Sequence, residues 1–183
     1  MHDGASAAAD ALESAQSLWG QAHRVKAATV DLNAVLKAYQ ALQGREIWKY
    51  DGTFIEKYQP TFGPGVKERF AFAKTVHDKD LTEQELLCEQ AVRHINGLLA
   101  DSSVLILPTL PGAGLKLDCS PDDMNAFRSK MSASFCLGGL AGVPWITLPL
   151  AEIGGAPLGV SLVSACGTDA WLLELSKALV QNR

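Results

Sequence analysis

Serine and lysine side chains that could take part in hydrolysis occur together in one segment of the chain. Ser129 and Ser132 flank Lys130, and a nearby base is what converts a serine hydroxyl into a nucleophile. The chain contains neither the Gly-x-Ser-x-Gly pattern of a nucleophile elbow nor a Ser-x-x-Lys pattern. The segment has the periodicity of a helix, and we interpret these three residues as its solvated face.

The cysteines offer a second kind of nucleophile. Cys88, Cys119, Cys136 and Cys166 are separated by 31, 17 and 30 positions, which matches no paired metal-binding or redox motif. Cys136 lies beside a glycine cluster and Cys166 ends a predicted strand, but the sequence places no basic partner beside either thiol. We therefore predict reduced thiols that pack as small apolar side chains.

Metal and phosphate binding find little support in the residue spacing. The histidines are isolated, and Glu89 precedes His94 by five positions, which does not place both on one helical face. The segments GAGLK at 112–116 and GGLAG at 138–142 lack the spacing and the Gly-Lys-Ser/Thr ending of nucleotide-binding loops. We predict no metal and no cofactor.

Length, composition and charge limit the class of protein. The 183 residues are 48% hydrophobic and 20% charged, which is ordinary for a globular protein, and we predict a single domain over 1–183. The formal net charge of −4 argues against nucleic-acid and anionic-membrane partners. Residues 1–20 have no basic region followed by an apolar stretch, and no apolar run approaches the roughly 18 residues of a membrane span. We expect a cytoplasmic protein.

Hydrophobic periodicity and turn residues predict an α/β fold with a small sheet of about four strands. The predicted helices cover 6–19, the region from 32 to 58 with a break or end at Gly44, 66–76, 83–100, 121–137 and 168–180. The predicted strands cover 24–31, a run that Pro108 stops, 145–149 and 159–163. The segment AEIGGAP between the last two strands is compatible with a hairpin or with a crossover. Thr82 and Glu85 predict a capping box.

Four segments follow one another in an order that resembles the carboxyl-terminal half of amidase signature enzymes, including bacterial amidases and plant indole-acetamide hydrolases. The resemblance runs from about residue 20 to 180. The segments are LQGREIWKYDGTFIEKYQPTFGPGVKERFAFA at 42–73, VLILPTLPG at 104–112, GLAGVPWITLPL at 139–150 and APLGVSLVSACGTDAWLLELSKAL at 156–179.

The resemblance implies a mixed β-sheet flanked by helices on both faces, and hydrolysis of a carboxamide to acid and ammonia through a serine acyl-enzyme. In such enzymes a second serine and a lysine activate the nucleophile, and all three lie in a Gly/Ser-rich amino-terminal region. No segment of that kind occurs between Met1 and Arg183. No catalytic residue is therefore carried over, and the chain is expected to be inactive alone.

Three positions depart from the pattern of many family members. Gly139 stands where Asn is common, Ala151 where Gly follows the proline, and Ser161 where Gln follows the Gly-x of the last strand. These departures bear on the identity of the amide more than on the fold.

The candidate substrate-binding residues are Thr109, Pro111, Gly139 and Val143, since they follow strand ends or the glycine-rich turn. The glycines of that turn either let a helix end beside an acyl pocket or serve only helix-to-strand packing. The expected partners are a small amide substrate and the amino-terminal half of an amidase, or a second copy of this chain. The alternative is a non-catalytic binding or assembly module that retained the fold.

Overall fold

A computed structural model describes residues 25–26, 28–63, 65–100 and 102–181. The predicted helix over 6–19 lies outside these residues. The chain divides into a helical unit, Val30–Ala91, and a sheet unit that contains the residues from Val92 onward together with those before Val30. The expectation of a single domain stays a prediction, and each unit is described by itself.

The described elements are helices and a small sheet, and the predicted α/β fold class is confirmed. Their bounds are α1 Leu32–Tyr58, α2 Val66–Val76, α3 Thr82–Leu98, β1 Leu105–Pro108, α4 Pro121–Ala141, β2 Trp145–Ile153, β3 Ala156–Val163 and α5 Asp169–Gln181.

Helix α1 is continuous through Gly44, where the sequence predicted a break or an end. A Cβ added at this glycine would lie 2.9 Å from Val76 Cγ2 and 3.3 Å from Ala73 Cα. The glycine therefore allows α2 to approach α1 closely, and packing of the two helices offsets the roughly 1 kcal/mol that glycine costs in a helix. The Asp31 side chain caps the start of α1 by accepting a hydrogen bond from the Asn33 N–H at 2.9 Å.

The predicted capping box between Thr82 and Glu85 is wrong. Asp80 Oδ1 instead accepts hydrogen bonds from the Thr82 hydroxyl at 2.6 Å and from the Thr82 N–H at 3.0 Å. The Glu85 carboxylate pairs with the guanidinium of Arg45 on α1. A tertiary ion pair thus replaces the local contact that the motif predicted.

The sheet of the sheet unit has the strand order β1-β3-β2, and every pairing in it is antiparallel. The resemblance implied a mixed sheet and the sequence about four strands, whereas the described residues form three. The described part of the predicted strand over 24–31 pairs with no strand, and its Lys26 carbonyl instead lies 2.8 Å from His94 Nε2.

Strands β2 and β3 form a hairpin rather than a crossover. Gly154 and Gly155, which connect them, have φ values of 57° and 81°. Positive φ at both central residues is the requirement of a type I′ turn, and glycine meets it without steric cost. Helix α5 packs against this hairpin and covers one face of the sheet. The core there consists of Leu148, Leu150, Ala151, Leu158, Val160, Leu162, Leu172 and Leu179.

Candidate functional site

Three hydroxyl groups meet on the face of the sheet opposite α5. The Thr109 hydroxyl lies 2.7 Å from Ser161 Oγ and 3.3 Å from Thr147 Oγ1, and the Thr147 and Ser161 oxygens are 3.2 Å apart. Side chains alternate between the two faces of a strand, so Ser161 points away from the apolar core that its neighbours Val160 and Leu162 join. We call Thr109, Thr147 and Ser161 the hydroxyl cluster.

Backbone pairing places each member of the cluster. Thr147 on β2 lies opposite Ser161 on β3. Thr109 follows the last residue of β1 and continues its pairing, because its N–H donates to the Gly159 carbonyl at 2.8 Å. The cluster therefore brings together all three strands of the sheet.

Gly159 provides the space that the hydroxyl cluster occupies. A Cβ at this position would lie 2.7 Å from Thr109 Oγ1 and 2.7 Å from Thr147 Cγ2. The register shifts between Leu148 and Ala151 on β2, so two residues of β2 lie opposite the single residue Gly159 on β3. A β-bulge of this kind bends a strand and redirects its side chains, and Pro149 lies within it, as expected for a residue with no N–H to donate.

The three side chains of the hydroxyl cluster differ in solvent exposure. Ser161 is 0% exposed, Thr109 is partly buried and Thr147 is exposed. A hydroxyl donates one hydrogen bond and accepts two, so three hydroxyls in a ring satisfy one another and keep oxygen lone pairs for a further donor. The amide NH₂ of a carboxamide is such a donor, and Thr147 is the member that a ligand can reach.

Among the described residues, no acid or base is hydrogen-bonded to the cluster to activate a nucleophile. Within the described chain, Thr109, Thr147 and Ser161 form side-chain hydrogen bonds only with one another. A serine or threonine nucleophile needs a positioned base. The arrangement can therefore orient a polar ligand, whereas bond cleavage requires groups from elsewhere.

The glycine-rich end of α4 lies against the Trp145 ring. A Cβ at Gly138 would lie 2.5 Å from the Trp145 ring, which also stacks on Phe135 with ring centroids 4.9 Å apart. Gly142 ends α4 with φ 62°, and its N–H donates to the Gly138 carbonyl. These contacts show the helix-to-strand packing that the sequence left as one of two alternatives. Trp145 Nε1 is buried, and in the described chain it has no hydrogen-bond partner.

The four predicted substrate-binding residues lie in three different settings. Thr109 belongs to the hydroxyl cluster, and Pro111 is partly buried in the loop that follows it. Gly139 is exposed in the last turn of α4, and Val143 is buried directly after that helix, with 9% of its surface exposed. Their role in binding stays a prediction.

Sequence reasoning missed Thr147, Gly159 and Ser161 as site residues. Two signals could have found them: the alternation of side chains along β2 and β3, and the departure from the family pattern at Ser161. The sequence does not show that β3 lies between β1 and β2, and this strand order is what brings the three hydroxyls together.

The structure separates the two cysteine candidates. Cys136 is buried, as predicted for a small apolar side chain, and its thiol donates to the Ala133 carbonyl at 3.3 Å. Cys166 is exposed, so the packing predicted for it is wrong. Burial raises the pKa of the Cys88 thiol above its usual value, which disfavours the reactive thiolate. Lys130 is exposed on α4, as predicted for a solvated face. No group of three metal-ligating side chains occurs among the described residues.

Known structures share this fold. A bacterial aryl acylamidase of the amidase signature family matches 100% of the chain with a TM-score of 0.76 at 15% identity, and the match covers 40% of that enzyme. A crystal structure of an amidase matches 96% of the chain with a TM-score of 0.74 at 20% identity and covers 41% of that chain. The fold is therefore that of amidase signature enzymes.

Sequence comparison points to the same class. Amidase 1 of Arabidopsis thaliana is 29% identical over 148 residues, which are 81% of this chain and 35% of that protein. The chloroplastic outer envelope protein 64 of the same plant is 26% identical over 140 residues, 74% of this chain and 23% of that protein. No protein-family model matches the chain. The chain is a relative of the amidase signature family, as the sequence motifs predicted, and it spans about a third of the length of Amidase 1.

Among the helices that the structure describes, none has the length and apolar character that crossing a membrane requires. The expected cytoplasmic location stays a prediction.

Proposed function

We propose that this chain is the pocket-forming, carboxyl-terminal part of an amidase that hydrolyses a carboxamide to acid and ammonia. The serine acyl-enzyme would form on a nucleophile region that this sequence does not contain. The hydroxyl cluster carries the proposal, because it places polar groups suited to an amide on a face of the sheet that α5 leaves uncovered. Similarity to Amidase 1 over most of the chain supports it.

The hydroxyl cluster and Gly159 bind the amide substrate and orient it. Thr147 presents its hydroxyl to the amide, Thr109 and Ser161 hold that hydroxyl in place, and Gly159 keeps the space free. Because no described acid or base is hydrogen-bonded to the cluster, the chain alone is expected to release no ammonia from any amide.

The direct test measures ammonia release from indole-acetamide and from simple aliphatic and aryl amides. The chain is assayed alone and after mixing with the amino-terminal half of an amidase signature enzyme. Activity in the mixture only supports the proposal. Turnover by the chain alone refutes its inactivity, and no turnover in either sample favours the alternative below.

Thr147→Val tests the site itself in the active mixture. The substitution removes an exposed hydroxyl and preserves the side-chain shape. Loss of one hydrogen bond of about 0.5–1.5 kcal/mol predicts a fall in kcat/KM of roughly two- to twelvefold. Thr53→Val, at an exposed position of α1, is the matched control and should leave kcat/KM unchanged.

The alternative is a non-catalytic module that serves binding or assembly. It is favoured by the missing base and by exposed aromatic residues on α1, where Tyr50, Phe54 and Tyr58 are 70%, 54% and 60% exposed. Under this alternative the partner is a second copy of the chain. Sedimentation velocity across a range of concentrations should then show self-association that Phe54→Glu abolishes, whereas a monomer at all concentrations rejects this alternative.

A further inference from the structure

The helical unit contains a groove of about 680 Å³ that the proposed amide chemistry does not use. Its walls are the second half of α1, the loop after that helix, and α2. Its volume falls within the range of roughly 300–1,000 Å³ that is typical of small-molecule sites. The lining residues are Trp48, Ile55, Glu56, Gln59, Pro60, Thr61, Phe62, Lys67, Phe70, Ala71 and Lys74. We call it the α1–α2 groove.

Aromatic rings form much of the apolar wall. Phe62 and Phe70 lie with ring centroids 4.6 Å apart. Gly52 leaves room for the Trp48 indole, since a Cβ there would lie 2.8 Å from the indole nitrogen. Flat rings favour a flat ligand, because offset stacking of aromatic rings adds to the gain from burying apolar area.

The charges in the groove do not balance. Glu56 and Lys74 pair with each other at 2.8 Å, and the Lys74 ammonium holds the pKa of the Glu56 carboxyl below its usual value. Lys67 also lines the groove, and the ion pairs of the described chain do not include it. Among the described residues, the groove therefore has one positive charge without a counter-charge.

The N-terminus of α2 does not add to this preference for an anion. Lys67 lies in its first turn, but the Glu68 carboxylate already accepts a hydrogen bond from the Gly65 N–H at 2.6 Å and so compensates the positive end of the helix dipole. The side chains of Gln59 and Thr61 add hydrogen-bond donors to the same groove.

We infer that the α1–α2 groove binds an aromatic carboxylate. The ring lies against Phe62 and Phe70, beside the buried Trp48 indole. The Lys74 ammonium lies over that indole, and the carboxylate faces the Lys67 ammonium. This site lies wholly within the helical unit and involves no residue of the hydroxyl cluster, so it does not depend on amide hydrolysis.

The test compares 2-naphthoate with 2-naphthamide, which share a ring system and differ in charge. Isothermal titration with the full chain measures both affinities, and the NMR signal of the Trp48 indole N–H, assigned with Trp48→Phe, reports the location. We expect saturable binding of 2-naphthoate, a shift of the Trp48 signal, and an affinity for 2-naphthamide that is roughly two- to fivefold lower, as for one exposed charge pair.

Two variants separate the role of Lys67 from a general effect of charge. Lys67→Gln should lower the affinity for 2-naphthoate by roughly two- to fivefold and leave the affinity for 2-naphthamide unchanged. Lys37→Gln, at an exposed position of α1 that does not line the groove, changes the net charge equally and should have no effect. Neither lysine is buried, so both variants should fold.

The other outcomes overturn the inference. Equal affinities for the acid and the amide would remove the charge argument. Binding that leaves the Trp48 signal unmoved would place the ligand elsewhere. No binding up to millimolar ligand would mean that the groove is not a small-molecule site, and that its apolar wall serves contact with another segment of polypeptide.

Discussion

The space around Gly159 is the feature on which the proposed pocket most directly depends, and Gly159→Ala tests it. The added Cβ would lie 2.7 Å from both Thr109 Oγ1 and Thr147 Cγ2, whereas ordinary contacts of a Cβ are 3.4–4 Å. Backbone pairing holds both threonines in place, so either their side chains must change rotamer or the strands must shift by several tenths of an ångström.

The expected cost follows from overpacking. Inserting a methyl group into a tight site costs about 1–3 kcal/mol, and alanine recovers about 0.5–1 kcal/mol of that relative to glycine in a strand. Contacts as short as 2.7 Å place the cost in the upper part of that range, about 2–3 kcal/mol, so we expect a net loss of about 1–2.5 kcal/mol in the free energy of unfolding. For a chain of this length, that corresponds to a thermal midpoint roughly 2–10 °C lower, measured by circular dichroism.

Gly97→Ala is the control for the same chemical change in open space. No atom lies within 4 Å of a Cβ at Gly97, which is in the last turns of α3, so this variant should be as stable as the wild type or more stable. In the Gly159→Ala background, Thr147→Ser removes the crowded methyl group and should recover part of the loss. A Gly159→Ala protein at least as stable as the wild type would refute the close approach of the three strands.

Three further predictions concern single contacts. Thr109→Val should lower the free energy of unfolding by about 1 kcal/mol in chemical denaturation, because buried Ser161 loses its shortest hydrogen bond; an unchanged midpoint would contradict this. Gly142→Ala should cost about 1–2 kcal/mol, since φ there is 62°, and Gly142→Asn should cost less, so equal losses would argue against a conformational cause. Hydrogen bonds from the Thr82 hydroxyl and N–H lower the pKa of the Asp80 carboxyl in the folded protein. The Asp80 carboxylate therefore stabilises the fold at pH values above its unfolded-state pKa. That contribution is lost as the pH falls through the lower folded-state pKa. An NMR titration should show the pKa of Asp80 rising in Thr82→Ala, and an unchanged value would mean that the hydroxyl has no influence.

Local patterns predicted most of the helices because their signals involve residues close in sequence. The starts of α1 and α4 follow from Asp31 and Pro121, whose side chains lie within one turn of the helix start. The failures occurred where a distant residue competed with a local signal. Gly44 predicts a helix break from its local sequence, but Val76 packs against it and the helix continues. Glu85 predicts a capping box from its spacing to Thr82, but its carboxylate pairs with Arg45.

Short segments of the sequence are enough to predict the α/β class, the order of most elements and the relationship to amidase signature enzymes, because periodicity, turn residues and motifs are local properties. The place of β3 between β1 and β2, and the bulge on β2 opposite Gly159, become visible only in the folded sheet. Those pairings join residues as far apart as Thr109 and Ser161, and no local preference specifies them. The physical reason is that strand order depends on which hydrogen bonds and apolar contacts the whole sheet can satisfy together, and the hydroxyl cluster exists only as a result of that order.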